Sequence, residues 1–398
     1  MRFYIRTLGC KLNQLDSAEL AAALARAGHQ PVGSEGEADW VLVNTCTVTG
    51  ESDRKSRQAA YGGLRQGRDV AVFGCSVRVQ PARWRALAPG AMLCEDLDAL
   101  LACFNAAPTT GFPLTGRTRI PVAVQTGCDD LCAFCLTRVA RGPHRSLPTE
   151  QVLTKVREAE ARGIREVVLT GVNTAAWGCD HTRRPEGTRL AELLGRLLQE
   201  TQIARIRLSS LGPQYLHGAF FDVFADLRVC DHLHLSVQSG SPSVLQRMAR
   251  GHRVEEIVRA AEAARRARPD VALTADLIAG FPGETDAEHG ETLAVVEALG
   301  VARLHVFPFS AREGTPAAAF PGQVPPEAKR ERARELRTVG ERLRAAFLDA
   351  QHGKSGAVLA ERDGTGLTTN YIRLGVPGVP EGALVSVVIG PDTLAERS

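Results

Sequence analysis

Three of the ten cysteines stand within eight consecutive residues, and their spacing indicates a site that binds iron. Cys128, Cys132 and Cys135 form the pattern CxxxCxxC, with the aromatic Phe134 before the last of them. A [4Fe–4S] cluster takes four thiolates, one for each iron, so three cysteines would leave one iron open to a substrate. The triplet therefore predicts a cluster that takes part in chemistry.

A structural zinc site and a set of buried thiols are the alternatives for this triplet. Structural zinc usually has four Cys or His ligands, commonly arranged as CxxC pairs. The sequence around the triplet offers no fourth ligand at a suitable spacing, although His144 could serve. The pattern therefore favours an iron–sulfur cluster over zinc.

Three further cysteines, Cys10, Cys46 and Cys75, follow predicted strands in the first hundred residues. Ligands bind outside the carboxyl ends of parallel strands, so we expect these cysteines to meet at one edge of a sheet. Buried thiols at the strand ends are the alternative. Apolar runs that alternate with helical patterns predict a doubly wound parallel-sheet domain over 1–105, and the runs are Phe3–Leu8, Trp40–Val43 and Asp69–Phe73.

Strand and helix patterns continue to alternate after a linker predicted at 106–119, which contains several Pro and Gly residues. Six βα units in series predict an α/β architecture with a partial (β/α)6 barrel over 120–350, and an open doubly wound sheet is the alternative. Short β-like runs, such as Thr369–Leu374, predict a small β-barrel module over 351–398. The predicted barrel strands and trailing helix are Ile120–Val124, Glu166–Thr170, Ile203–Leu208, His232–Val237, Val271–Ile278, Arg303–Pro308 and Pro325–Ala350.

The composition is that of an ordinary globular protein of 398 residues, with 44% hydrophobic and 23% charged residues. A wholly disordered or coiled-coil chain is therefore excluded. No apolar run reaches the roughly 18 residues of a membrane span, and the N-terminus lacks the pattern of a signal peptide, so we expect a cytoplasmic protein without a membrane partner. In that compartment the cysteines need a role other than disulfides. The net charge of +3 neither shows nor excludes binding to nucleic acid.

A series of ordered motifs resembles the radical S-adenosylmethionine superfamily and, within it, the methylthiotransferases. Enzymes of that family attach a CH3S group to an unactivated C–H carbon. The resemblance covers essentially the whole chain, although the family's proline after the third cysteine of the triplet is missing here. The matching segments are Leu8–Gln14, Asn44–Thr49, Gly74-Cys75, Ala140–Gly142, Leu169–Thr174, His232–Ser241, Asp276–Thr285, His305–Ser310 and Gly314–Pro316.

The resemblance implies roles for both groups of cysteines. Those at 128, 132 and 135 would hold the radical cluster, whose open iron chelates S-adenosylmethionine and whose electron produces a 5′-deoxyadenosyl radical. Those at 10, 46 and 75 would hold a second [4Fe–4S] cluster that carries the sulfur to be inserted. Two molecules of S-adenosylmethionine would be used in each turnover, one to methylate that sulfur and one to supply the radical. Implied cosubstrate contacts, each of which could be an ordinary structural residue, are Phe134, Gly171, Ser236, Gln238, Asp276 and Gly280.

The segments Gly9–Gln14 and His305–Ser310 resemble the branch of the family that modifies carbon 2 of threonylcarbamoyladenosine 37 in tRNA. The branches acting on isopentenyladenosine and on a ribosomal-protein aspartate are alternatives, and a zinc-bearing RNA-binding protein without catalysis is the competing class. The implied partners are the tRNA anticodon stem-loop, a sulfur donor, and an electron donor such as flavodoxin or ferredoxin.

The C-terminal segment resembles a short TRAM module, a small RNA-binding β-barrel, most clearly at Asn370–Arg373. From Lys354 onward it has four basic and five acidic residues, so no bulk electrostatic attraction to phosphate is visible there. Specific arginines elsewhere would then contact the RNA, and candidates beside the cysteine triplet are Arg138, Arg141 and Arg145.

Overall fold

The structure is a computed structural model that describes residues 1–108, 118–180 and 189–395. The first part of the chain forms a five-stranded parallel sheet in the order β2-β1-β3-β4-β5. Its elements are β1 (Arg2–Thr7), α1 (Lys11–Arg26), β2 (Gln30–Pro31), β3 (Trp40–Thr45), α2 (Gly50–Arg65), β4 (Asp69–Gly74), α3 (Cys75–Val79), α4 (Pro81–Leu87), β5 (Met92–Leu93) and α5 (Leu97–Cys103).

Two apolar cores, one on each face, show that this sheet is doubly wound. On one face Phe3 and Leu42 pack with Leu24 of α1 and Leu101 of α5. On the other face the alternate strand residues, including Val43, pack against α2 and α4. The chain runs from β1 outward to β2 and then returns to β3 on the opposite side of β1. Such a reversal of strand order opens a crevice at the carboxyl ends of the two central strands, β1 and β3.

The middle of the chain forms parallel strands in two hydrogen-bonded ladders, β6-β9-β10 and β11-β12-β13-β14. The elements are β6 (Arg119–Ala123), β7 (Gln125–Thr126), α6 (Thr137–Arg141), β8 (Arg145–Ser146), α7 (Thr149–Ala161), β9 (Glu166–Thr170), α8 (Arg189–Glu200), β10 (Arg205–Leu208), β11 (Ser210–Leu211), α9 (Ala219–Phe224), β12 (His232–Gln238), α10 (Pro242–Arg247), α11 (Val254–Ala267), β13 (Ala272–Ala279), α12 (Asp286–Leu299), β14 (Arg303–Pro308) and α13 (Pro326–Asp349).

The six long strands follow one another in chain order and surround one cavity, so they form the predicted partial barrel. Each contributes at least one side chain to the cavity wall, and examples in chain order are Pro121, Val168, Arg207, His234, Asp276 and His305. In the described parts of the chain no ladder joins β6 to β14, so the barrel is open between its first and last strands. The predicted linker at 106–119 falls mostly on 109–117, outside the described residues.

The last part of the chain is a four-stranded antiparallel sheet in the order β17-β16-β15-β18, with strands β15 (Ser355–Ala360), β16 (Thr365–Thr368), β17 (Arg373–Gly375) and β18 (Leu384–Val388). The predicted β-barrel is not confirmed, because no ladder among the described residues closes this sheet. The single strand predicted at Thr369–Leu374 is wrong. The Thr368 hydroxyl accepts from the Ile372 backbone N–H at 2.8 Å, which closes a turn between β16 and β17.

A buried ion network attaches this sheet to the barrel. Glu166 is fully buried and accepts from Arg207 at 2.7 Å, while the Arg205 Nε lies 3.0 Å from its other oxygen. Arg207 also donates to the backbone carbonyls of Thr368 and Thr369, each at 2.9 Å. Although burial would raise the pKa of Glu166, the two guanidinium groups hold it below its ordinary value. Within the described ranges no helix is both long and apolar enough to cross a membrane.

We expect Glu166→Gln to lower the free energy of unfolding by about 3–5 kcal/mol, because it leaves two buried guanidinium groups without their carboxylate. Urea unfolding followed by circular dichroism measures the change. The matched control is Glu327→Gln, which removes an exposed carboxylate paired with Arg330 and should change little. Equal stabilities of the two variants would contradict a structural role for the network.

Candidate active site

The first three cysteines meet at the carboxyl edge of the N-terminal sheet. Cys10 follows β1, Cys46 follows β3, and Cys75 follows β4. Gly9 has a φ of +110°, and a Cβ atom added to it would lie 2.9 Å from the Cys46 Cβ and 3.1 Å from its Sγ. The pKa of the Cys75 thiol is raised to about 11, mainly by burial and further by the neighbouring Cys10 and Cys46. The structure thus brings the three thiols together.

A small polar network holds the loops that carry these cysteines. The Asn13 side-chain amide donates to the Asn44 side chain and to the Thr45 carbonyl, both at 2.9 Å. Asn44 donates in return to the Asn13 carbonyl at 2.8 Å and to Ser17 at 3.0 Å. The Cys10 thiol donates to Asn13 at 3.3 Å. Asn13 and Asn44 belong to the motifs quoted from the sequence, and their amides connect the loops of Cys10 and Cys46.

Arg141 links this first group of thiols to the second. It lies at the end of α6, just after the cysteine triplet, and donates to Asp16 at 2.7 Å and to Asn13 at 3.2 Å. Its positive charge lowers the pKa of Cys75 against the effect of burial. Arg138 and Arg145 are exposed, whereas the guanidinium of Arg141 is engaged between the two cysteine-bearing segments.

The second group of thiols sits in a loop that is fixed by backbone hydrogen bonds. The Cys128 N–H donates to the Gly142 carbonyl at 3.1 Å, and the Ala133 N–H donates to the Met248 carbonyl at 2.9 Å. Burial raises the pKa of Cys128 to about 12, and the charges of Asp130 and the other two cysteines add to this effect. Burial likewise raises the pKa of Cys132, so these two thiols resist ionisation unless positive charge is nearby.

Arg250 is the cation that faces this second group. Its Nη1 donates to the Cys132 Sγ at 3.1 Å and its Nη2 to the Ser236 carbonyl at 3.1 Å. Its Nε is buried without a hydrogen-bond partner in the described ranges, and it forms no ion pair with a carboxylate there. A guanidinium without a carboxylate is stabilised by another anion nearby, and thiolates that hold a metal cluster would supply one. Sequence analysis did not identify Arg250.

His144, considered above as a fourth ligand for zinc, has partners at both ring nitrogens. Its Nδ1 lies 3.0 Å from the Gln125 amide nitrogen, and its Nε2 lies 3.1 Å from the Ser146 hydroxyl. Binding a metal through this ring would break one of these hydrogen bonds. The arrangement therefore favours three thiols with an open position over a closed four-ligand zinc site.

Most of the implied cosubstrate contacts lie at the carboxyl ends of barrel strands. Ser236 is held by Arg250, as described, and Gln238 ends β12 with a left-handed φ of 70°. Gly171 follows β9 and lies so close to Gln125 that an added Cβ would be 2.7 Å from the amide oxygen. Gly280 follows β13 with a φ of 72°. Phe134 packs edge-on against Phe281, with ring centroids 6.4 Å apart.

Asp276 lies deeper, in the barrel wall, beside two histidines. The His234 Nε2 is 3.0 Å from one carboxylate oxygen, and the His305 Nδ1 is 3.3 Å from the other. Burial alone would raise the pKa of Asp276, but the hydrogen bonds from the two rings hold it well below its ordinary value. Sequence analysis named Asp276 among the implied cosubstrate contacts, and in the structure it lines the large cavity that the barrel strands surround.

That cavity has a volume of about 920 Å³, within the range of small-molecule sites. The barrel strands form most of its wall. The N-terminal sheet contributes Gly9, Cys10 and Lys11, and the C-terminal sheet contributes Tyr371 among others. Cys10 of the first thiol group thus opens into a space large enough for a nucleoside.

Of the remaining cysteines, Cys94, Cys179 and Cys230 are buried, as expected for thiols that act as small apolar side chains. Cys103, in contrast, is exposed. It stands at the end of α5, the last helix before the region outside the described residues.

We expect Arg141→Met to lower the free energy of unfolding by about 2 kcal/mol, because it leaves Asp16 and Asn13 without their charged donor. Hydrogen exchange should speed up in α6 and at the start of α1. Arg138→Met is the matched control, since Arg138 is exposed on the same helix. The linking role would be refuted if both variants exchanged like the parent chain.

Comparison with known proteins matches two family models to different parts of the chain. Residues 2–94 match the family described as "Uncharacterized protein family UPF0004", and residues 122–296 match the "Radical SAM superfamily". A solved structure, the radical S-adenosylmethionine methyltransferase TsrM from Kitasatospora setae, has a TM-score of 0.58 at 13% identity. The match covers 80% of this chain and 73% of the TsrM chain. At that identity the likeness concerns the fold alone.

Curated relatives are similar along nearly the whole chain. The threonylcarbamoyladenosine tRNA methylthiotransferase MtaB of Thermotoga maritima is 34% identical over 378 residues, which cover 90% of this chain and 86% of the relative. The MtaB protein of Bacillus subtilis is 31% identical, covering 96% and 92%. The tRNA-2-methylthio-N(6)-dimethylallyladenosine synthase of Agrobacterium fabrum is 33% identical, covering 91% and 87%.

Proposed function

The chain belongs to the family of radical S-adenosylmethionine methylthiotransferases, and we propose that it attaches a methylthio group to carbon 2 of N6-L-threonylcarbamoyladenosine 37 in tRNA. The observation that carries this proposal is the pairing of two three-thiol groups, one beside a nucleoside-sized cavity, joined through Arg141. Several relatives of near full-length similarity are named for this substrate. The relative named for dimethylallyladenosine makes isopentenyladenosine the second candidate.

Cys128, Cys132 and Cys135 are proposed to hold the radical cluster. A [4Fe–4S] cluster with an open iron, when bound there, supplies the electron that cleaves S-adenosylmethionine. Arg250 offsets the negative charge of the thiolates through its hydrogen bond to Cys132. Backbone hydrogen bonds fix the loop that carries the three cysteines, and the carboxyl ends of β9, β12 and β13 would offer Gly171, Ser236, Gln238 and Gly280 to the cosubstrate.

Cys10, Cys46 and Cys75 are proposed to hold a second [4Fe–4S] cluster. Gly9 lets Cys10 and Cys46 approach, and the amides of Asn13 and Asn44 fix the two loops. Arg141 supplies the neighbouring positive charge. Because Cys10 also lines the cavity, a sulfur held at this group would face a base bound there. Use of two molecules of S-adenosylmethionine in each turnover belongs to this proposal.

The proposed substrate implies the remaining partners. The tRNA would bind to the enzyme through its anticodon stem-loop. The reaction would also need a sulfur donor and an electron donor such as flavodoxin or ferredoxin. An enzyme of tRNA would work in the cytoplasm. The domain boundaries, 1–105, 120–350 and 351–398, stay predictions, as does RNA binding by the C-terminal sheet.

The first test counts iron and sulfide in protein reconstituted without oxygen. We expect about eight irons in the parent chain and about four when Cys10, Cys46 and Cys75 are all changed to Ala, as two [4Fe–4S] clusters require. Incubation with tRNA, S-adenosylmethionine and a reductant should convert threonylcarbamoyladenosine to its 2-methylthio form, detected by mass spectrometry. The control variant replaces Cys94, Cys179 and Cys230 with Ala and should keep about eight irons.

Three other outcomes would each contradict a different part of the proposal. About four irons in both proteins would remove the second cluster. Zinc without iron would leave an RNA-binding protein in place of a radical enzyme. Methylthio product on isopentenyladenosine alone would replace the substrate but keep the reaction.

The role of Gly9 can be tested separately. Gly9→Ala puts a methyl group into a left-handed backbone and against Cys46, so we expect it to lose about half of the iron while keeping the second triplet's cluster. Gly28→Ala is the matched control, because Gly28 also has a left-handed φ, +84°, but an added Cβ would meet nothing within 4 Å. Equal iron contents would show that crowding at Gly9 does not matter.

A further inference from the structure

The charges that line the cavity do not cancel. Its four carboxylates in the described ranges each have a basic partner inside the chain. Those pairs are Asp276 with His234 and His305, Glu361 with Arg119 and Arg373, Asp363 with Arg373, and Glu381 with Arg362. None of these acids is left to attract a cation.

Two cations of the same wall have no such partner. Arg119, Arg207 and Arg362 are used in ion pairs with glutamates. Lys11 and Arg303 both line the cavity with exposed side chains, and neither side chain forms a hydrogen bond or an ion pair with any residue that the structure describes. Lys11 stands next to Cys10 in the chain, and Arg303 begins β14.

The surplus of positive charge affects Tyr371, which lines the floor of the cavity. Burial alone would raise the pKa of the Tyr371 phenol, but the charges of Lys11, Arg119 and Arg207 hold it below its ordinary value. The ring of Tyr371 stacks on His232 with centroids 4.3 Å apart. The charge of Lys11 therefore reaches the inner end of the cavity, where it would attract an anion.

We propose that Lys11 and Arg303 form a carboxylate-binding site that recognises the threonyl carboxylate of the substrate base. The inference rests on the proposed function, because that base carries one carboxylate on its N6 substituent. A dimethylallyl substituent carries no charge and would offer these two exposed cations nothing to bind. The pair would thus select the substrate by binding the charged base more tightly than the uncharged one.

A backbone phosphate of the RNA has the same chemistry as this carboxylate, so the test must separate the two. The probes are three synthetic anticodon stem-loops of one sequence: threonylcarbamoyladenosine, its threoninol analogue without the carboxylate, and N6-isopentenyladenosine at position 37. Their dissociation constants with the anaerobically reconstituted enzyme are measured by fluorescence anisotropy at several salt concentrations.

We expect the parent enzyme to bind the carboxylate RNA about tenfold or more tightly than the threoninol analogue, as loss of a charge-assisted hydrogen bond implies. Lys11→Gln and Arg303→Gln should each remove most of this preference while changing affinity for the analogue little. Lys55→Gln and Arg266→Gln are controls, since both replace exposed cations that do not line the cavity. Measurement of the iron content checks that the Lys11→Gln variant still binds iron at Cys10, Cys46 and Cys75.

Two results would overturn the inference. One is equal affinity of the parent enzyme for the carboxylate RNA and its analogue. The other is an equal loss of affinity for all three RNAs in the variants, with a smaller salt dependence, which would assign the cations to backbone phosphate. A parent enzyme that prefers the carboxylate RNA but forms no methylthio product would keep the binding site and refute the proposed function.

Discussion

The ion pair between Arg141 and Asp16 joins the two cysteine-bearing segments on which the proposed chemistry depends. The thiols of Cys75 and Cys128 are hard to ionise, because burial raises their pKa values to about 11 and about 12. A buried thiol becomes a ligand only where a metal and positive charge offset that cost. The chain supplies one guanidinium for each group, and Arg141 does so while it holds the barrel loop against helix α1.

Backbone geometry then decides how closely the thiols can approach. Parallel strands deliver their loops to the same edge, but the loops after β1, β3 and β4 meet only because small or amide side chains fill the space between them. Gly9 leaves room for Cys46, and Asn44 lies so near Gly74 that a Cβ there would be 2.5 Å from its oxygen. Asn13, Asn44 and the two glycines thus pack together between the cysteine-bearing loops. This packing accounts for their places beside the cysteines in the sequence.

The sequence allowed the strands and the meeting of the first cysteines to be predicted, because buried parallel strands are continuous apolar runs. The sequence did not reveal which charged side chains contact the cysteines. Arg250 lies more than a hundred residues from Cys132, and nothing in its surroundings in the chain distinguishes it from other arginines. The error at Thr369–Leu374 has a local cause. The run favours β-structure, but the Thr368 hydroxyl donates to the Asn370 side chain and accepts from the Ile372 N–H, which closes a turn there.

This turn brings Tyr371 and the carbonyls of Thr368 and Thr369 against Arg207 of the barrel. The segment from Lys354 onward has four basic and five acidic residues, so it has no surplus positive charge for binding phosphate, and Lys354 pairs with Asp270. The contacts of the sheet with the barrel give it a role in shaping the cavity. The carbonyls of Thr368 and Thr369 satisfy Arg207, and Tyr371, with a left-handed φ of 69°, lies with its ring under that guanidinium. The sheet thereby closes the floor of a cavity whose other walls come from the barrel and from the loop of Cys10.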